Sequence, residues 1–176
     1  MSIFISILLV VAGIIGLLLI IALFTNKAYN IQREIIIDAP QPKVFNYLKH
    51  IKNQDNFNKW VMVDPNMKRA FKGTDGTVGF IYGWNGNKQA GEGEQEIMAI
   101  SDEKVIEIEI RFVRPLAGIA FTNTVTESLT ENQTKVSWTI ASRMKYPFNI
   151  MLLLVGKMLA KDMDASLSNL KGILEK

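Results

Sequence analysis

The chain has 176 residues, a net charge of +3, a single histidine and no cysteine. A small positive charge that is not gathered into a stripe argues against nucleic acid as a partner. Without cysteine there are no disulfides or thiolate sites, and His50 as the single histidine argues against paired-histidine metal sites and against a Ser-His-Asp triad.

The first element is an uncharged apolar run, Ile3 to Phe24, in which Ser6 is the one clearly polar side chain. As a helix it would be roughly 33 Å long, about the thickness of a bilayer's hydrocarbon core. A buried core helix of that length would need a polar stripe. A cleaved signal peptide would show a basic start, a shorter apolar core and a small-x-small site. Residues 1–26 are therefore expected to form a retained transmembrane anchor, and residues 27–176 one domain. Lys27, Arg33 and Lys43 follow the run, so the positive-inside rule predicts a single-pass membrane protein with a cytoplasmic domain.

Ile31 to Asp38 is rich in β-branched residues and stops at Ala39-Pro40, which predicts a strand. Pro40 and Pro42 open a helix with Val44, Phe45, Leu48 and Ile51 at helical spacing, and a short amphipathic piece ends near Trp60. From Asn66 to about Lys145 the pattern is that of about six strands. Asn85-Gly86 predicts a two-residue type I′ turn, pairing Tyr82 with Gln89, Phe80 with Gly91 and Val78 with Gly93. The next turn, Ser101 to Lys104, pairs Ile100 with Val105, Ile97 with Ile108, Gln95 with Ile110 and Gly93 with Phe112. Both registers place Phe80, Tyr82 and Trp84 on the face of Ile106, Ile108, Ile110 and Phe112. The opposite face carries Glu94, Glu96, Glu107, Glu109 and Arg111, with a Glu94–Arg111 cross-strand pair. A third turn near Thr130–Gln133 pairs Val125 with Trp138, Asn123 with Ile140, Phe121 with Ser142 and Ile119 with Met144. After Pro147 an apolar stripe from Phe148 to Leu174 predicts a long helix whose first turns, Ile150 to Leu159, are apolar nearly all round. One sheet with one apolar face and one terminal helix must curl around that helix to bury it.

Several short pieces in this order carry a resemblance. They are Ile37-Asp38-Ala39-Pro40, Trp60, Pro65-Asn66-Met67, Gly79 through Asn87, Gly91-Glu92-Gly93, Phe112-Val113-Arg114-Pro115, Thr134 through Trp138, and Leu167 through Lys171. Across residues 30–175 the chain resembles the START-like helix-grip superfamily (SRPBCC), best known from the birch pollen allergen, and within it the polyketide cyclase/dehydrase and lipid-transport family. The resemblance implies an α+β helix-grip fold: a curved antiparallel sheet of about seven strands around a long C-terminal helix, here preceded by one transmembrane helix. It also implies a deep, largely apolar cavity between sheet and helix, used for lipids, sterols, hormones or polyketides. It does not imply one activity.

In the predicted registers Phe80, Tyr82, Trp84, Gln95, Ile108, Ile110, Phe112, Phe121, Asn123, Trp138 and Ser142 point inward. With Met151, Val155 and Leu159 of the last helix they are the expected ligand-binding lining. The polar members Tyr82, Gln95, Asn123 and Ser142 either orient a ligand head group or bond to one another and to backbone. Arg33 and Glu127, near strand ends, read as rim salt bridges. No catalytic residue, metal ligand or cofactor is indicated. The expected function is a membrane-anchored binder or carrier of a lipid-like or other hydrophobic small molecule. One alternative is a polyketide cyclase- or dehydratase-like enzyme, which would need a positioned acid or base. Another is a protein-interaction module with a vestigial cavity. The expected partners are a hydrophobic small molecule or lipid and, through Ile3–Phe24, a membrane; oligomeric state has no signature in the sequence.

Overall fold

With no charge and no proline to interrupt it, the apolar run is a continuous helix, α1 (Ile3–Phe24), in the computed structural model, which describes residues 3–176. It is long and apolar enough to cross a membrane, and the rest of the protein buries almost none of it. β1 (Ala28–Ile37) follows and turns Tyr29, Ile31, Ile35 and Ile37 inward. α2 (Gln41–Lys49) starts at Pro40 with Pro42 in its first turn, where a missing N–H costs no hydrogen bond, and buries Val44 and Phe45. A 3-10 turn (Ile51–Asn53), α3 (Gln54–Phe57) and α4 (Lys59–Met62) come next. Asn58 caps α4, its Oδ1 accepting the Trp60 N–H at 3.1 Å.

Six strands then run in succession: β2 (Lys68–Lys72), β3 (Ile81–Asn85), β4 (Glu92–Ser101), β5 (Val105–Arg114), β6 (Gly118–Thr130) and β7 (Gln133–Arg143). A 3-10 turn (Phe148–Met151) leads into α5 (Leu152–Leu174). The seven strands form one antiparallel sheet in the order β1-β7-β6-β5-β4-β3-β2. α5 lays Met163, Leu167, Leu170 and Leu174 against Ile37, Val136, Trp138 and Ile140 of the sheet's inner face. A second cluster joins Phe45 and Ile51 to Phe80, Tyr82, Ile97, Ile106 and Ile108. This is the α+β helix-grip architecture expected from the sequence.

The registers are met unevenly. Between β4 and β5 the pairs Ile97–Ile108, Gln95–Ile110 and Gly93–Phe112 stand as predicted. Near the turn a bulge at Met98 shifts the pairing, so Ile100 meets Ile106 rather than Val105. Asn85-Gly86 is not a two-residue turn. β3 runs on to Asn85, which pairs with Glu92, so Tyr82 faces Gln95 and not Gln89, and Trp84, not Val78, faces Gly93. Side chains close the loop instead. Asn87 Oδ1 accepts the N–H groups of Gln89 (2.8 Å) and Ala90 (3.0 Å), and Asp64 Oδ2 accepts the Asn87 N–H at 2.7 Å. The shift is an even number of residues, so Phe80, Tyr82 and Trp84 keep the predicted face.

Between β6 and β7 the error is odd and therefore changes faces. The turn pair Thr130–Gln133 is as predicted, but a bulge at Leu129 puts Thr124, not Val125, opposite Trp138. Ala120, Thr122 and Thr126 consequently point inward and are buried, while Ile119, Phe121 and Asn123 point outward and are exposed. Ser142 pairs with Ala120 rather than Phe121, and Met144 lies beyond β7, its N–H donating to Lys27 O.

The outer face carries the expected charges, with Arg111 at their centre. Its guanidinium reaches Glu94, Glu96 and Glu109, each at 2.7 Å, and these hydrogen bonds, that to Glu96 foremost, raise its pKa above the usual arginine value. On the inner face a glycine allows close approach: a Cβ at Gly93 would lie 2.5 Å from Arg111 O and 2.7 Å from the Trp84 ring. Gly93→Ala should therefore destabilise the protein by about 1–3 kcal/mol through overpacking. That is a fall of roughly 2–4 °C in melting temperature per kcal/mol for a chain of this size. Gly118→Ala, with nothing within 4 Å of its Cβ, should change stability by less than about 0.5 kcal/mol. Equal melting temperatures for the two variants in detergent would contradict this account of the β3–β5 contact.

Candidate functional site

The pairings Ala28–Arg143, Ala120–Ser142, Phe112–Gly118, Gly93–Phe112 and Trp84–Gly93 bring several features to one end of the sheet. These are the start of β1, the end of β7, the β5–β6 loop and the β3–β4 loop. α1 leaves and α5 begins at this same end, because Asn149, just before α5, bonds to the last turn of α1. Its Nδ2 donates to Ala22 O at 2.7 Å and to Thr25 O at 2.9 Å. Asn149 is fully buried, and its Oδ1 has no partner among the described residues.

Inward-facing apolar residues are packed at the far end and only half-covered at the α1 end. Ile97, Ile106, Ile108 and Val136 are buried, whereas Trp84, Ile110, Phe112 and Tyr29 are half-buried. α5 shows the same gradient along one stripe. Met163, Leu167, Leu170 and Leu174 are buried; Leu152, Val155 and Leu159, at the same three- and four-residue spacing, are half-buried. The fold thus has a solid base and an apolar mouth. Trp84 is fixed there by an edge-to-face contact with Phe112 (centroids 6.0 Å apart) and by its Nε1–H donating to Ala90 O at 3.1 Å.

Leu48, Phe57, Trp138, Leu167 and Leu170 line a small interior void of about 30 Å³, roughly the room of one water. A larger groove of about 420 Å³ lies on the outer face of the sheet, lined in part by Met98, Glu107, Phe121, Asn123 and Thr139. Of the expected lining, Trp84, Ile110 and Phe112 are half-buried on the inner face toward the α1 end of the sheet, and Val155 and Leu159 are half-buried on the first turns of α5. Phe80, Tyr82, Gln95, Ile108 and Trp138 belong to the packed base, and Met151 is exposed at the rim. Phe121 and Asn123 leave the inner face because of the Leu129 bulge.

The inward polar groups are mutually bonded. Gln95 and Gln54 exchange hydrogen bonds at 3.2 and 3.3 Å, and Gln54 Oε1 also accepts from Asn58. Ser142 Oγ donates to Ile119 O at 2.5 Å. The hydroxyl of Tyr82, a fully buried residue, donates to Asp55 Oδ1 at 2.6 Å and accepts from Arg69 Nε at 3.0 Å, while Arg69 and Asp55 form an ion pair at 3.0 Å. Burial and then the Asp55 carboxylate push the Tyr82 phenol well above the usual tyrosine value. At the mouth, burial raises the pKa of Tyr29, against the opposing effect of its hydrogen bond with Ser142. Arg33 pairs with Asp164 of α5 at 3.3 Å and Glu127 with Lys135 at 2.6 Å, both as rim ion pairs. Sequence reasoning missed Tyr29, Asp55 and Arg69; the inward alternation of β1 was the available signal for Tyr29, while the Asp55–Arg69 pairing depends on tertiary contact.

A family model described as polyketide cyclase/dehydrase and lipid transport matches residues 29–175. A search of curated proteins finds no match. Among solved structures, norcoclaurine synthase from Thalictrum flavum in complex with dopamine and hydroxybenzaldehyde superposes with a TM-score of 0.64 at 11% identity, covering 88% of this chain and 90% of that one. Protein CV1439 from Chromobacterium violaceum gives 0.61 at 12% identity, covering 84% and 97%. The Aha1 dimer from Colwellia psychrerythraea gives 0.58 at 18%, covering 84% and 96%. At such identities the likeness is one of fold. The family match, in contrast, takes in nearly everything after α1, and the chain belongs to the polyketide cyclase/dehydrase and lipid-transport family.

Proposed function

We propose that the protein is a membrane-anchored binder or carrier of a lipid-like or other hydrophobic small molecule, held through α1 as a single span with the domain on the cytoplasmic side. The observation that carries this reading is the apolar mouth, where Trp84, Ile110, Phe112, Val155 and Leu159 stay half-buried. Left in water these groups forgo about 25 cal/mol for each Å² of apolar surface that a ligand would cover. Enclosed ligand pockets measure about 300–1,000 Å³, far more than the interior void, so the ligand lies in the mouth with its tail toward α5. Membership of a lipid-transport family supports the ligand class. Lys27, Arg33 and Lys43 after α1 support the orientation.

Cyclase-like chemistry would need a free acid or base. The inner-face candidate, Tyr82, is held neutral and spends its proton on Asp55. The cluster therefore reads as a tie between α3 and the β2–β3 edge.

Three outcomes are expected. The full chain should stay in the membrane pellet after an alkaline carbonate wash; its release would end the anchored reading. Native mass spectrometry should show a lipid-sized ligand that Ile110→Trp, filling the mouth, weakens by about tenfold, or 1.4 kcal/mol, without lowering the melting temperature. Equal occupancy in both proteins would place the ligand elsewhere. Tyr82→Phe should cost about 1–2 kcal/mol at neutral pH. Because the folded pKa lies above the unfolded one, the stabilisation is complete below about pH 10 and declines as pH rises toward the folded value. The gap between wild type and variant should thus narrow in alkaline solution; a gap independent of pH would contradict the buried, neutral phenol.

A further inference from the structure

We infer that the α1 end of the domain docks onto the surface of the same bilayer that α1 enters, with anionic lipid headgroups as the partner. This rests on the reading of α1 as a membrane span.

Reach is the first argument. Three residues, Thr25 to Lys27, separate α1 from β1, and fully extended they span at most about 10 Å. The Asn149 latch shortens even this tether by holding the start of α5 against the last turn of α1. If α1 is in the membrane, the mouth is in or beside the headgroup layer.

The chemistry of that end suits such a layer. Val113 near the end of β5 and Leu116 after it are 56% and 40% exposed, Phe148 before α5 is 51%, and Leu153, Leu154 and Met158 on the outer side of α5 are 58%, 79% and 56%. They come from two separate parts of the chain and share one end of the sheet. Along α5, Leu153 and Leu154 lie within roughly 8 Å of the latch, comparable with the 5–10 Å to which interfacial helices sink. Lys27, Arg143, Lys145 and Lys157 are exposed around them, while Glu92 at this end is paired with Arg114 at 2.8 Å. Apolar groups ringed by cations match an anionic interface. A second copy seated on the same face would bring those cations together, which argues against self-association.

The absence of native cysteine permits a direct test. Leu154→Cys and Leu116→Cys, with Glu131→Cys in the β6–β7 turn at the far end as control, are labelled with an environment-sensitive dye in the full chain. The chain is reconstituted in phosphatidylcholine vesicles with and without phosphatidylglycerol. Headgroup-nitroxide lipids should quench positions 154 and 116 several-fold more than 131, and more strongly with phosphatidylglycerol. Asn149→Leu should reduce quenching at 116 and 154 while the protein remains carbonate-resistant. Equal quenching at all three positions in a carbonate-resistant protein would overturn the docking, as would indifference to lipid charge. Signals at 154 that vanish when protein is diluted into excess lipid would assign the face to a second copy and also overturn it. Release by carbonate would instead overturn the anchored reading on which docking rests.

Discussion

The contact on which the rest of the structure depends is the burial of Met163, Leu167, Leu170 and Leu174 of α5 in the concave face of β1, β6 and β7. Full burial of side chains of this size is worth about 1.5–3 kcal/mol each, so four of them weigh as much as the whole net stability of an ordinary domain, about 5–15 kcal/mol. The sheet has one apolar face, and of the two long helices among the described residues it is α5 that packs on it, so the sheet's curl and the placing of α2 to α4 follow from that requirement. Asp162 extends the contact to the short helices, accepting from Lys59 Nζ at 2.6 Å and from Trp60 Nε1 at 3.2 Å. Trp60 then meets Trp138 edge-on, with centroids 5.7 Å apart.

What could be read in the sequence follows from how local its physical cause is. β4 and β5 registered correctly over Gly93–Ile97 because two signals agreed: the alternation of isoleucines inward, and that of glutamates with Arg111 outward. The Asn85-Gly86 turn was misread because its competitor is distant in the chain. Asp64 and Asn87 offer the loop better hydrogen bonds than a type I′ turn would, and the approach of Asp64 depends on the packing of α4. The Leu129 bulge is harder still to see. One unpaired residue in a run of threonines and serines leaves no mark in composition, yet it moves Phe121 and Asn123 through the sheet and brings Ala120 and Thr122 inward. The inward face was thus legible on β3, β4 and β5 and wrong on β6.

Polar groups divide the fold in a way that alternation alone does not express. On the outer face, charge is met by charge and stays in contact with water, as around Arg111. Inside, the polar side chains are amides and hydroxyls bonded to one another or to backbone, and the ionised pairs, Asp55 with Arg69 and Arg33 with Asp164, sit at the edge strands β2 and β1, partly open to solvent. Burying an ion costs far more than burying an amide. The inner face is therefore free of charge across its centre, and any binding there is apolar.

The stripe of α5 continues past the point where the sheet can cover it, and this overhang ties the structure to its proposed role. A helix serving only to close the sheet would gain from polar residues at 153, 154 and 158, since covering a Leu or Met there would need another apolar phase and leaving it bare stabilises nothing. The chain instead keeps Leu153, Leu154 and Met158, and it seats Asn149 so that the overhang begins where α1 ends. On the proposed reading of α1 as a span, an anchor placed elsewhere, or joined by a long linker, would leave that surface in water. With α1 in the bilayer as proposed, and with the half-buried stripe Leu152, Val155 and Leu159 beside the exposed one, an apolar ligand would pass from the bilayer to the mouth along one continuous helix surface without crossing an aqueous gap.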